Sequence, residues 1–286
     1  MARTFANLPG YAVHQRIGRG AGALIYEALS TASRQRFAVK HVVRRGPSDD
    51  RFIEQAEREF EVGSRVNHPF LRKAIDLVRV RRWLKTAELF LVLEYVPGER
   101  LEDRRPHALE PTVRLFIDVA AGLSGLHRIG YAHADIKPNN ILLTRDGVKL
   151  IDFGQSCPLG HTKERIQGTP DYMAPEQVLR QPIDQRTDVF NLGATMYWVL
   201  TGKWFRTLMS AAPTGAKKIE VDARSGVQPP HVIDPQIPVP LSQTVMDCCQ
   251  NDKNKRPWDM AQVTSRLEAV LHLLERQRGS AGQRQA

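Results

Sequence analysis

Residues 131–143, YAHADIKPNNILL, gather one carboxylate, Asp135, one ammonium, Lys137, and one amide, Asn140, between apolar flanks. Transfer of a phosphoryl group to a hydroxyl needs a carboxylate to orient the attacking oxygen and accept its proton. It also needs a cation near the transferring group and an oxygen ligand for magnesium. Asp135, Lys137 and Asn140 could fill these roles in that order. A second carboxylate, Asp152, follows in KLIDFG. The intervening ILLTRDGVKLI reads as a hairpin, with Asp146-Gly147 favouring a tight turn. Two strands back to back would return Asp152 to the neighbourhood of Asn140.

Upstream, IGRGAGALIYEA spaces Gly18, Gly20 and Gly22 between strand-like runs. Glycines let backbone N–H groups approach phosphate oxygens. Such hairpins are common, so the weight falls on RFAVK, which follows and places Lys40 at the end of an alternating strand. Most lysines are simply exposed; this one gains meaning from its acidic partner. Glu59, on a helix expected over 50–66, fits best, with Glu57 and Glu61 as rivals. Asp135, Asn140 and Asp152 lie among ILL and KLI, where buried polar groups need partners. His133 reads as a packing and hydrogen-bonding residue.

These groups must be held by something. Residues 11–96 are strand-like: AVHQRIG, ALIYEAL, RFAVKHV and LFLVLEY are bounded by Gly, Ser or charge. One helix interrupts them, with Phe52, Ala56, Phe60 and Val62 at roughly helical spacing. Beyond 97 helix dominates. Pro111 suits a first turn, and Leu115, Val119, Leu123 and Leu126 share a face. Further helices are expected at 187–201, 241–250 and 258–275. The Pro-rich stretch 228–240 reads as an extended connection, and 274–286 as a disordered basic tail. The expected class is α+β: an N-terminal extension over 1–10, a β-rich lobe over about 11–96, and a helical lobe over about 97–273.

The net charge is +10, from 41 Lys and Arg against 31 Asp and Glu. Basic clusters at 34–45 and 79–85 read as solvated loop faces. No aromatic platform or DNA-reading motif accompanies them, so nucleic acid is not expected. No run of eighteen apolar residues marks a membrane span, and the N-terminus lacks the apolar core of a signal peptide. Cys157, Cys248 and Cys249 are too few for a disulfide framework and imply a reducing cytoplasm.

Taken together, these motifs resemble the eukaryotic-type (Hanks-type) serine/threonine protein kinases, over nearly all of 11–273. The resemblance implies a bilobal kinase fold, ATP and Mg²⁺ as cofactors, and a protein substrate phosphorylated on Ser or Thr. It implies a glycine-rich loop of Gly18, Arg19, Gly20, Ala21, Gly22 and Ala23. Ile25 and Ala38 would flank the nucleotide, and Lys40 with Glu59 would form the strand-to-helix ion pair. Glu94 and Val96 would belong to the adenine hinge, Asp135 and Lys137 would act in catalysis, and Asn140 and Asp152 would hold metal. In GTPDYMAPE, Thr169 resembles the threonine that bonds the catalytic pair. Glu176 and Arg256 resemble a buried staple, and Asp188 the aspartate holding the catalytic-loop backbone.

Two departures stand out. Ala134 occupies the place where regulated members carry an arginine that binds an activation-segment phosphate; activity independent of Ser156, Thr162 or Thr169 phosphorylation follows. Gly63, four residues after Glu59, replaces a bulky apolar side chain, so a gap beside Phe153 and a loosely held helix are expected. Filling it by Gly63→Leu should then raise activity. Rival readings are a pseudokinase scaffold, against which the retained polar set speaks, and a small-molecule kinase, which lacks GTPDYMAPE. Oligomeric state, substrate and regulator are not legible.

Overall fold

The computed structural model describes residues 8–20, 22–209 and 226–283. Two units have their own cores: residues up to 97 together with 151–156, and 98–150 together with 157 onward.

The first unit is built on an antiparallel sheet of β1 (Tyr11–Gly20), β2 (Ala23–Ser30), β3 (Arg36–Val43), β4 (Ala74–Arg82) and β5 (Lys85–Glu94), in the order β1-β2-β3-β5-β4. Side chains alternate along a strand, and this parity divides the core. Ala38 and Val42 join Leu89, Leu91 and Leu93 on the face that packs on helix α1 (Asp50–Gly63), through its Ile53 and Ala56. Phe37 and Val39 join Leu8, Val13, Ala28, Phe90 and Val92 in a separate cluster. Burial on both faces explains the unbroken apolar run of β5.

Strand β4 departs from the sequence expectation, which read 79–85 as loop. Val78 and Val80 alternate with arginines, the pattern of a half-exposed strand at a sheet edge, where cations discourage further pairing. Trp83 and Leu84 form the β4–β5 turn, almost wholly exposed.

Helix α1 stops at Gly63, short of the expected 66, and buries Ile53, Ala56, Glu59 and Val62. Gly63 does not border the open space the sequence suggested. A Cβ on Gly63 would lie 2.8 Å from Ala74 Cβ and 3.1 Å from its backbone nitrogen. The missing side chain lets α1 and the start of β4 touch. Gly63→Leu must therefore push these elements apart and, contrary to the sequence reading, cost roughly 1–3 kcal/mol as overpacking does. Urea unfolding reads this as a lower midpoint; a raised midpoint would restore the gap.

In the second unit, β6 (Glu99–Arg100), β8 (Ile141–Thr144) and β9 (Gly147–Leu150) form one small sheet. Strand β7 (Tyr131–Ala132) pairs with β10 (Cys157–Pro158). Helix α2 (Leu109–Arg128) buries Val113, Phe116, Val119, Leu123 and Leu126, while Leu115 stays at the margin of that stripe. After α3 (Pro175–Val178) comes α4 (Gln185–Thr201), buried almost all round. The 228–240 stretch is not simply extended. Its prolines start α5 (Pro230–Ile233) and α6 (Val239–Cys248), since proline suits a helix's first turn. Helix α7 (Met260–Gln283) runs past 274, so the expected disordered tail is helical as far as 283, while 284–286 lie outside the described residues. Arg114–Glu275 at 2.6 Å and Arg278–Glu110 at 3.4 Å tie it to α2. None of the described helices is long and apolar enough to cross a membrane. All three cysteines are buried free thiols, and burial pushes the Cys248 thiol up to about 12. Cys157 lies in β10, paired with Ala132.

Candidate active site

In the first unit, the β1–β2 register sets Gly18 opposite Ile25, Arg19 opposite Leu24 and Gly20 opposite Ala23. Ala21 lies outside the described residues. Gly22 has φ +66°, and a side chain there would run into the Phe52 ring of α1. Backbone conformation and the helix's approach both demand glycine. The registers continue Gly18–Ile25 to Lys40 on β3 and Leu91 on β5, so Ile25 and Lys40 are cross-strand neighbours, while Ala38 faces Leu93.

Lys40 Nζ donates to Glu59 Oε2 at 2.6 Å and lies 3.4 Å from Asp152 Oδ1. The rival acids are engaged elsewhere: Glu57 with Arg79 at 2.7 Å, and Glu61 with Arg58 at 2.8 Å. The sequence offered no sign of Arg72, whose guanidinium donates to Glu59 Oε1 at 2.8 Å. Burial pulls the Lys40 ammonium down. The Asp152 and Glu59 carboxylates outweigh it, against opposition from Arg72, and the pKa ends above the ordinary lysine range. Asp152 has φ +66°, a left-handed conformation that aspartate tolerates better than most residues. Its Oδ1 also accepts from Gly154 N–H at 3.4 Å, beside buried Phe153. Glu94 ends β5, where its carboxylate accepts from Lys73 N–H at 3.0 Å, and Val96 follows outside the strand.

In the second unit, Asp135 is 8% exposed and held from three sides. Lys137 Nζ lies 2.9 Å from Oδ2, Thr169 Oγ1 donates to Oδ1 at 3.0 Å, and Asn140 Nδ2 donates to Oδ2 at 3.2 Å. Asn140 Nδ2 also reaches the Asp135 carbonyl at 2.8 Å, and Lys137 donates to Thr169 Oγ1 at 2.6 Å. Pro138–Asn140 makes one tight turn that sets Asn140 back over Asp135. Ile141 pairs with Leu150 across the β8–β9 hairpin, and Asp152 follows Leu150 by two residues.

A second layer fixes this loop. Asp188, wholly buried at the start of α4, accepts from His133 N–H at 2.8 Å and Ala134 N–H at 2.7 Å. Ala134 adopts φ +58°, a strained conformation that persists only because its surroundings impose it. Gln177 contributes by donating to the Ala134 carbonyl at 2.8 Å, and His127 Nε2 lies 2.7 Å from Asp188 Oδ2. Sequence reading missed both, because nothing local distinguishes a helix-end histidine or a glutamine. Deeper still, Arg256 forks onto Glu176 at 2.7 and 2.8 Å.

Burial pushes these carboxyls up, but their partners win. Arg256 and Thr187 hold Glu176 below its ordinary 4.5. His127, His133 and the Ala134 N–H hold Asp188 below 3.8. Arg186 and Lys253 bring Asp184, which caps α4, to about 2. Through this acid window the unfolded chain binds more protons than the folded one. The stabilisation is therefore complete above about pH 4.5 and lost as pH falls towards about 2. Urea midpoints should be level from neutral pH to the top of that window and decline below it; Asp184→Asn should soften the decline.

The protein kinase domain family matches residues 11–266. A probable serine/threonine-protein kinase of Clostridium acetobutylicum is 26% identical over 269 residues, covering 91% of this chain and 40% of the relative. One of Streptomyces coelicolor is 29% identical over 267 residues, covering 89% and 39%. Serine/threonine-protein kinase PknL of Mycobacterium tuberculosis is 31% identical over 221 residues, covering 74% and 54%. The chain thus spans about two fifths of the length of the first two. With its sheet-and-helix first unit, its helical second unit and this match, the chain belongs to the protein kinase domain family.

Proposed function

We propose that this chain is a serine/threonine protein kinase, moving the γ-phosphoryl group of ATP to a protein hydroxyl. The observation that carries the reading is the buried Asp135 carboxylate, gripped at once by Lys137, Thr169 and Asn140. A carboxylate so fixed can accept the proton of an attacking hydroxyl without reorganising. Lys137, one oxygen away, offsets the charge that builds on the transferring group. Thr169 joins the pair and pins the segment that follows residue 152.

Lys40, aligned by Glu59, would meet the α and β phosphates, and backbone N–H groups of the glycine-rich loop the others. Ile25 and Ala38 offer apolar contact, and the Glu94 and Val96 backbone offers the adenine hinge. The family uses ATP and a divalent metal. The donor set suits magnesium, which takes oxygen ligands. Asn140 spends its nitrogen on Asp135, which leaves its carbonyl oxygen for a cation; in the first unit, Asp152 offers a carboxylate of its own. Magnesium taken up by such oxygens would neutralise charge on the phosphates. Three reduced, buried thiols suit a cytoplasmic setting.

The test is labelled ATP with magnesium and a generic basic protein, followed by phosphoamino-acid analysis. Labelled phosphoserine or phosphothreonine is expected. ATP turnover only with small-molecule acceptors would replace the reading with the small-molecule alternative. Failure to bind ATP or transfer phosphate at any magnesium level would leave a scaffold.

The Ala134 departure fits activity without a phosphorylated activation segment. Ala134 is fully buried, in an apolar cluster with Ala132, Cys157 and Ile183 that offers a phosphate nothing. Ser156 is buried, and the Thr169 hydroxyl already serves Asp135 and Lys137. Phosphatase-treated protein and Thr162→Ala should both stay within about threefold of untreated wild type, under 1 kcal/mol in barrier. Near-complete loss in both would show that a phosphate is needed.

A further inference from the structure

Glu59 has no exposed surface, yet it carries a charge in the middle of the buried stripe of α1. A carboxylate has two oxygens to satisfy, and Lys40 takes only Oε2. Oε1 goes to Arg72, itself 8% exposed, which reaches in from the segment just ahead of β4. The helix is thereby fastened at one side chain to two separate places, β3 through Lys40 and the approach to β4 through Arg72. The arrangement is balanced: Lys40 and Arg72 face Glu59 and Asp152, two cations against two anions. Arg72 Nε has no hydrogen-bond partner among the described residues. A buried guanidinium with an unmet N–H is an expensive way to fill space, so packing alone does not account for this residue. A methionine or leucine would fill the position without that penalty.

Geometry also says what the second fastening changes. With Lys40 alone, rotation of Glu59 about its side-chain bonds could release the ammonium to Asp152 at 3.4 Å. With both oxygens occupied, any such rotation breaks a charge-assisted bond to Arg72 as well. Just beyond, Gly63 sits against Ala74, so helix and strand start are also in contact. The loosely held helix expected from Gly63 is replaced by one clamped from within.

We infer that Arg72 is a positioning residue for phosphoryl transfer, locking Glu59 so that helix α1 and Lys40 stay engaged without a phosphate or partner protein. The inference rests on the kinase reading for its consequence, though not for the clamp itself.

Four proteins test it: Arg72→Met, Arg72→Lys, Glu59→Gln and the Arg72→Met/Glu59→Gln double variant. Hydrogen exchange of the nucleotide-free proteins reads the clamp. In Arg72→Met, amides of residues 50–63 should exchange about tenfold faster while β3 and β5 change little. Steady-state kinetics read the consequence. Arg72→Met should lower kcat/KM for ATP by roughly 10- to 100-fold, with Arg72→Lys recovering most of it. In the Glu59→Gln background, Arg72→Met should add less than about twofold, because both act on one interaction. Wild-type exchange and kinetics in Arg72→Met overturn the inference. So does an equal further loss on top of Glu59→Gln, or exchange that rises evenly across the first unit, since each marks a packing role. If Arg72→Met does not fold, Arg72→Gln and its cycle with Glu59→Gln decide in the same way. Wild type that transfers no phosphate defeats the kinase reading, while exchange still decides the clamp.

Discussion

Asp135→Asn should lower the phosphotransfer kcat by roughly 10²- to 10⁴-fold, the usual worth of a positioned general base. KM for ATP should move little, since Lys40, which would meet the nucleotide in the proposed site, belongs to the other unit. The substitution preserves shape. An amide oxygen can still accept from Thr169 Oγ1 or face Lys137 Nζ, the contacts now at 3.0 and 2.9 Å. Only the negative charge and the proton-accepting capacity go. Stability should therefore stay within about 1 kcal/mol of wild type, which separates chemistry from collapse. A variant with wild-type kcat would show that the buried carboxylate is structural. Loss of both kcat and fold would show that the charge serves the loop's integrity.

Arg256→Ala should be the most destabilising single change in the second unit, at about 3–5 kcal/mol. Arg256 and Glu176 are 5% and 2% exposed, and the guanidinium makes five hydrogen bonds. Two go to the Glu176 carboxylate, and three to the carbonyls of Gln250, Arg186 and Asn251. Truncation strands all four acceptor groups and leaves Glu176 charged in a site that water reaches poorly. A loss of this size corresponds to a melting-temperature drop of roughly 10 °C for a unit this large. The Glu176→Met/Arg256→Met pair should recover part of it, because removing both partners leaves no orphaned charge. Calorimetry checks both. A drop of under about 2 °C in Arg256→Ala would mean that the fork contributes little.

The candidate site was legible because its residues cluster along the chain. Asp135, Lys137 and Asn140 fall within one loop, and the Asp-Gly turn announced the hairpin leading to Asp152. Periodicity gave helix α1, and short runs rich in aliphatic and β-branched residues gave strands β3 and β5. It failed at β4, because a strand with arginine at alternate positions looks like a charged loop until an edge is there to pair it. It also failed at 228–240, where prolines that suggest extension are compatible with short helical turns.

The sequence by itself determined which groups could do the work: a carboxylate, two ammoniums, an amide and a second carboxylate, in an order matched by one family. Tertiary structure decided who holds them. Whether Glu59, Glu57 or Glu61 meets Lys40 depends on which side of α1 faces the sheet, since residues two apart point to nearly opposite sides of a helix. That Arg72 closes on Glu59, that Ala74 fills the space at Gly63, and that His127 and Gln177 support the loop around Ala134 depend on contacts between segments distant in the chain. Such contacts are set by packing in three dimensions, and spacing along one dimension does not encode them.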